Sequence, residues 1–444
     1  MKNLITLLVA VCTFIASQAQ HSTEVKLNAI PQQWENNLIG TWNGSCEKDN
    51  IKRLFILTIN SNKSLEFYWS FPETGVVSRK ITHAGYDSLQ KRISLDNTIF
   101  LTPKMDFSSI SCTLSMHGFE ATFNLVKVET PVRKFTTEEV TFNNQDVTLS
   151  GTLYLPKNKG ANTAVVFLHG SGFATRWDWA PFWAEKFAEI GVASLLFDKR
   201  GCGASGGNWI TSSLDDLSKD AVAGIDYLKT RPEINPKKIG VWGFSNSAWV
   251  APNAINFTSD ISFMLICSGG GLTPREIEVY GYANRLTHGG ATAEEKVRAM
   301  QVVNQYLDYL GDGLNRKQLI DTIKLVKQYK WFGNLNLDRV VPSESNRKNW
   351  SWVATWNPMA TIEKIKIPTM IIFGDQDTDA DPVRAPQRWK EGLDKAGNKN
   401  YEIKIFKNAN HGIRIGEHDY NSPIFWQPFA DGYVEWVMKW IEKR

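Results

Sequence analysis

The chain has 444 residues, 42% of them apolar and 22% charged, which is enough for two globular domains and excludes a disordered or fibrous protein. Its net charge of +4 is mild and spread along the sequence, so nothing points to nucleic acid as a partner.

The first predicted element is a leader. Lys2 precedes an apolar run from Leu4 to Ala16, and Ser17-Gln18-Ala19 offers small residues where a signal peptidase reads. The expectation is a signal peptide over residues 1–19, cleaved after Ala19, and a secreted or periplasmic protein. The run is too short for a permanent membrane span. Val11, not a small residue, precedes Cys12, which argues against a lipoprotein. No later segment is long and apolar enough to cross a membrane. Four further cysteines, Cys46, Cys112, Cys202 and Cys267, have spacings that fit no zinc site. A Cys46–Cys112 disulfide is open to an exported protein; four buried, unpaired thiols are the plainer expectation.

Residues 20–130 read as a β-rich domain. Arg53–Ile59 and Leu65–Trp69 are predicted strands, with the turn-forming Asn60-Ser61-Asn62-Lys63 between them, and Ile99–Leu101 and Ala121–Val126 repeat the theme. Short strands at such spacing suggest a small barrel or sandwich. Gly40-Thr41-Trp42-Asn43-Gly44 resembles the opening of lipocalin-like barrels. No acid–base or metal cluster stands out in this domain.

Residues 131–444 change pattern. Val147–Pro156 alternates as strands do. Near-continuous apolar runs follow at Ala164–Leu168, Ala193–Phe197, Ile239–Trp242, Ser262–Cys267, Thr369–Phe373 and Tyr401–Phe406, each followed by a helical stretch. Such runs predict an α/β fold with a mostly parallel, doubly wound sheet buried on both faces. Functional residues then belong at the carboxyl ends of the strands. From about 270 to 360 the alternation breaks. Ala293–Leu310 and Arg316–Tyr329 read as amphipathic helices, and Trp331, Trp350, Trp352 and Trp356 follow. The expectation is a helical cap inserted over the strand ends, its tryptophans either packing or lining a cleft.

Four strand ends carry chemistry. Ile239–Trp242 runs into Gly243-Phe244-Ser245-Asn246-Ser247, the pattern of a nucleophile elbow, with Ser247 where glycine is usual. Only a small residue fits there, and Ser247 is read as standing in for glycine. Val165–Leu168 ends in His169-Gly170-Ser171-Gly172, where glycines let backbone N–H groups approach an oxyanion. Ser171 and Asn246 would supply those groups, and His169 reads as a structural loop histidine. Ile371–Phe373 enters an acidic loop in which Asp375, Asp377, Asp379 and Asp381 compete as the acid. Asn408-Ala409-Asn410-His411-Gly412 follows the last strand and offers His411 as the base, with His418 a surface competitor.

From about residue 141 to the C-terminus the chain resembles the α/β-hydrolase superfamily, whose catalytic order is serine, acid, histidine. It is similar to secreted two-domain bacterial carboxylesterases in the phrases His169-Gly170-Ser171-Gly172, Asp198-Lys199-Arg200-Gly201-Cys202-Gly203-Ala204-Ser205, Gly243-Phe244-Ser245 and Gly374-Asp375-Gln376-Asp377. The resemblance implies Ser245 as nucleophile, Asp377 as acid, His411 as base and a small-molecule ester as substrate. It implies no metal and no organic cofactor. The second phrase reads as shaping a loop near the site, with no catalytic step. An exopeptidase on the same scaffold is the alternative, and Glu276 and Glu278 would then hold the substrate's amine. A non-catalytic binding protein on this fold is a third reading, weakened by filled triad positions. Oligomeric state has no signature in the sequence.

Overall fold

The computed structural model describes residues 28–444 except 63, 117, 158–159, 161, 313–314, 336, 338–340 and 417–423. The expected leader, with Cys12 and the Ala19 cleavage point, and His418 lie outside the described residues. The chain divides into two compact units, one comprising residues up to Lys134 with Trp177–Glu185 and Asp419–Pro428, the other the remainder.

In the N-terminal unit a short helix, α1 (Gln32–Leu38), precedes β1 (Gly40–Lys48), β2 (Ile51–Asn62), β3 (Ser64–Phe71), β4 (Val76–Lys80), β5 (Ala84–Asp87), β6 (Arg92–Leu95), β7 (Ile99–Pro103), β8 (Ser109–Met116) and β9 (Phe119–Val128). Among the described residues these form one antiparallel sheet in the order β4-β3-β2-β1-β9-β8-β7-β6-β5. Where the sequence suggests a barrel or sandwich, the unit holds one large antiparallel sheet, a half-barrel of two meanders, β1–β4 and β5–β9, joined by the pairing of β1 with β9. Its turns use local chemistry. Asp49 and Asn50 take left-handed φ of 52° and 63° and join Lys48 to Ile51 in a two-residue hairpin. Alternation then sorts the faces: Phe55, Leu57 and Ile59 of β2 and Phe67, Trp69 and Phe71 of β3 point into the core. Trp42 is fully buried and its indole donates to the Leu38 carbonyl at 2.8 Å, so its one polar atom is satisfied. Cys46 and Cys112 sit in this core as free thiols, and burial pushes the Cys46 thiol up to about 11.

The second unit is built on β10 (Phe135–Asn144), β11 (Val147–Pro156), β12 (Asn162–Phe167), β13 (Val192–Phe197), β14 (Ile234–Phe244), β15 (Phe263–Cys267), β16 (Thr369–Gly374) and β17 (Tyr401–Phe406). The sheet order is β10-β11-β13-β12-β14-β15-β16-β17. The pairs β10–β11 and β11–β13 are antiparallel and the rest parallel. Every residue of β12, β13, β15 and β16 is buried, as continuous apolar runs require when helices cover both faces. The connecting helices are α2 (Ala180–Glu189), whose residues up to Glu185 group with the N-terminal unit, α3 (Leu214–Lys229) and α4 (Ser247–Ala254). Between β15 and β16 come α5 (Pro274–His288), α6 (Ala293–Asp312), α7 (Arg316–Val326), α8 (Glu344–Trp350), α9 (Trp352–Thr355) and α10 (Met359–Ile362), and later α11 (Arg384–Lys395) and α12 (Tyr433–Ile441).

The segment between β15 and β16 has its own core, including Leu286, Val303, Leu307, Leu310, Ile323 and Trp331. Its tryptophans pack. Trp331 is 3% exposed, Trp350 donates its indole N–H to the Ile210 carbonyl, and Trp352 meets Trp249 edge-on at 6.1 Å. Among the described residues no helix is long and apolar enough to cross a membrane.

Candidate active site

Five loops leave the carboxyl ends of β12, β13, β14, β16 and β17, and they hold the residues singled out from the sequence. The strand β14 ends at Phe244, and α4 begins at Ser247. The two-residue corner between them, Ser245-Asn246, holds Ser245 at φ 55°, a left-handed conformation that costs a non-glycine residue strain. The corner is sharp enough that a Cβ on Gly243 would lie 2.5 Å from the Ser247 carbonyl oxygen, so only glycine fits there. Ser245 N–H donates to the Cys267 carbonyl at 2.9 Å, which ties the corner to β15.

Ser247 does more than stand in for glycine. Its buried hydroxyl accepts from the Phe244 N–H at 2.8 Å and donates to the Phe244 carbonyl at 2.9 Å, bridging the corner from both sides. Removing it leaves two backbone groups short of a partner, worth about 1–3 kcal/mol. A Ser247→Ala variant is expected to keep most of its activity, because Ser245 keeps its strand and helix anchors, but to melt several degrees lower. Thermal unfolding beside a rate measurement checks this; a variant as inactive as Ser245→Ala would mean that the corner itself depends on Ser247.

The loop after β17 brings His411 to Ser245, with Nε2 3.0 Å from Oγ. Asn410 braces that loop by accepting from the Gly412 and Arg414 N–H groups at 3.0 and 3.2 Å. On the other side of the ring, Nδ1 lies 3.0 and 2.9 Å from the two carboxylate oxygens of Asp377. A carboxylate only accepts, so the proton of a neutral His411 belongs on Nδ1, and Nε2 then has its lone pair toward the serine hydroxyl. Asp377 is 1% exposed, and its Oδ1 also accepts the N–H groups of Asp379 and Ala380 at 2.9 and 2.8 Å. Burial alone pushes the His411 imidazole down. The charge and hydrogen bond of Asp377 reverse that and carry it up to about 9.

The other acids of the loop are occupied elsewhere. Asp381 accepts from the Val383 and Arg384 N–H groups, and Asp379 pairs with Arg285 at 3.1 Å. Asp375 bonds the neighbouring Gln376 side chain. Helix α5 grips the same loop from above the sequence horizon: the Tyr280 hydroxyl donates to the Asp377 carbonyl at 2.9 Å and the Asn284 amide to that of Thr378 at 3.0 Å. Asp377, Asp379 and His411 also hold ligand-type atoms within 4.8 Å of one another. The hydrogen bonds and the Arg285 ion pair just described engage these same side chains.

The loop after β12 places Gly170 against the elbow, where a Cβ on it would stand 3.8 Å from that of Ser245. Among the described residues neither the Ser171 nor the Asn246 backbone N–H has a protein acceptor. His169 bonds the Phe197 carbonyl through a ring nitrogen, and burial pushes it down to about 3, so it is a neutral structural histidine as expected. The loop after β13 supplies Lys199, whose Nζ donates to the Gly170 and Gly172 carbonyls. The sequence places that lysine in a phrase that shapes a loop near the site, but not its two carbonyl partners, which lie 29 and 27 residues away. Glu276 is committed to α5: it caps Thr273 and pairs with Arg384. Glu278, half-buried on the same helix, has its carboxyl pushed up by burial, with the Arg285 guanidinium offsetting part of the effect.

The family described as serine aminopeptidase, S33, matches residues 159–419, more than half of the chain. Among curated relatives, an uncharacterized protein of Pseudomonas aeruginosa is 28% identical over 38% of this chain and 44% of its own length. The quorum-quenching protein AidA of Acinetobacter baumannii is 35% identical over 24% of this chain and 35% of its own. A thiohydrolase of Aspergillus aculeatus is 33% identical over 29% and 41%. The chain thus spans less than half the length of each of these three. Among solved structures, an esterase of Pyrococcus furiosus aligns with a TM-score of 0.42 and 23% identity over 63% of this chain and 84% of that one.

Proposed function

The chain belongs to the serine aminopeptidase S33 family of α/β-hydrolases, and from that membership we propose that it is a serine hydrolase of the carboxylesterase type. The single observation that carries the proposal is the continuous hydrogen-bonded line from Ser245 through His411 to Asp377. In the proposed reaction His411 Nε2 takes the hydroxyl proton as Ser245 Oγ attacks the acyl carbonyl. Asp377 fixes the tautomer and stabilises the imidazolium. The unpartnered N–H groups of Ser171 and Asn246 receive the oxyanion. His411 returns the proton to the leaving alcohol, and water, activated by the same histidine, releases the acid and restores Ser245. A thioester presents the same acyl carbonyl, so the thiohydrolase among the relatives fits this chemistry.

The helices between β15 and β16 are proposed as a cap over the strand ends; the grip of Tyr280 and Asn284 on the acid loop supports this. Export belongs to the proposal on the strength of the leader, and N-terminal sequencing of the native protein should find a mature chain beginning at Gln20.

One observation favours an aminopeptidase as the second reading. Glu278 lies on the helix that holds the acid loop and, among the described residues, has no hydrogen-bonded cation, whereas Glu276 is already paired. Short-chain p-nitrophenyl esters and aminoacyl p-nitroanilides assayed side by side separate the two. The esterase reading expects the esters to be cleaved faster and Glu278→Gln to leave that rate near wild type. Cleavage of the amides alone, lost in Glu278→Gln, would put the peptidase in its place.

A further inference from the structure

Lys199 is a costly residue in its place. The residue is 5% exposed, and burial pushes the ammonium down to about 8. The nearby carboxylate, Asp220, is already taken by two bonds of 2.6 Å from the Arg200 guanidinium. Lys199 Nζ instead donates to the carbonyl oxygens of Gly170 and Gly172, each at 3.1 Å, and lies 5.3 Å from the centre of the Trp209 ring. A methionine would fill the same space without the cost of desolvating a charge. What it would not do is hold those two carbonyls.

The two carbonyls flank Ser171. In a trans peptide the C=O and the following N–H point in opposite directions. Gripping the Gly170 oxygen therefore turns the Ser171 N–H away from Lys199, and gripping the Gly172 oxygen does the same for Phe173. Ser171 itself is exposed, and its N–H has no protein partner among the described residues to hold it otherwise. The segment lies beside Ser245, as the 3.8 Å approach at Gly170 requires.

We propose that Lys199 is a positioning residue for the oxyanion hole, clamping Gly170–Gly172 so that the Ser171 N–H faces the carbonyl oxygen of the group Ser245 attacks. This rests on the roles proposed above for Ser245 and Ser171. The lysine touches no reacting atom and moves no proton; it fixes the direction of one donor before substrate arrives.

The test compares p-nitrophenyl acetate with its thiono analogue, in which C=S replaces C=O. Sulfur accepts hydrogen bonds weakly, so the hole contributes less to its transition state and the wild type should prefer the oxygen ester. Lys199→Met is expected to lower kcat on the oxygen ester by about 10- to 100-fold, with KM little changed, and to shrink that preference. Lys199→Arg, which keeps a cationic donor, should restore most of both. The preference is a ratio within one preparation, so partial unfolding lowers both rates alike and leaves it unmoved. A Lys199→Met enzyme with the wild-type preference overturns the proposal and leaves the Ser245 reading standing. Ester cleavage that survives in Ser245→Ala removes both.

Discussion

Ser245→Ala is expected to lower kcat/KM on a good ester by roughly four to six orders of magnitude while leaving the fold intact. The substitution removes one oxygen. The corner that holds residue 245 is set by other groups: its N–H to the Cys267 carbonyl, the Ser247 bridge to Phe244, and the close approach at Gly243. Alanine at φ 55° carries the same strain as serine, so stability should change little. The two N–H groups of the oxyanion hole remain, and a residual rate above that of water is expected from them. Rates within tenfold of wild type would remove Ser245 as the nucleophile.

Asp377→Asn should come next in size, at roughly 10^4-fold in kcat. The argument is one of proton placement. Oδ1 of residue 377 is held by the Asp379 and Ala380 N–H groups, which demand an acceptor there. An asparagine would keep its carbonyl oxygen in that position and turn its NH2 toward His411 Nδ1, 2.9 Å from the site of Oδ2. A donor facing Nδ1 forces the ring proton onto Nε2, which can then no longer accept from Ser245. The same change alters the pH profile. In the wild type the carboxylate raises His411 to about 9, and only the neutral ring is a base, so kcat/KM should climb with pH and level off near that value. Without the carboxylate, burial is left to push the imidazole down, and the residual activity of Asp377→Asn should level off at lower pH. A wild-type profile that is flat from about pH 5 to 8 would contradict the assignment of His411 as base.

The legible parts of this protein are those where strong local pattern and short spacing coincide. The strands β12, β13, β15 and β16 and the second half of β14 announce themselves as apolar runs because both faces of a parallel sheet are buried, whereas β17, at the sheet edge, buries only Phe406. The elbow, the acid loop and the His411 loop each directly follow one of these strands, so their residues could be named from sequence. Which of four aspartates meets His411 was less so, since Asp375, Asp377, Asp379 and Asp381 differ only in where the turn aims them. The structure separates them through their partners: Arg285 for Asp379, and the first N–H groups of α11 for Asp381. Contacts distant in sequence left no local trace. The hold of Lys199 on the Gly170 loop and of α5 on the acid loop are of this kind. So is the grouping of Trp177–Glu185 with the N-terminal unit. The Ser247 bridge is local but hidden for another reason: a departure from a motif reads as tolerance until its hydroxyl is seen bonded on both sides.

The most direct test of the central claim is covalent capture of the nucleophile. The protein is treated with a fluorophosphonate, digested, and its peptides are weighed by mass spectrometry. The account predicts a single adduct on the peptide containing Ser245, absent in Ser245→Ala and slowed in Asp377→Asn. An adduct on another residue, or none on a folded wild-type protein, would contradict it.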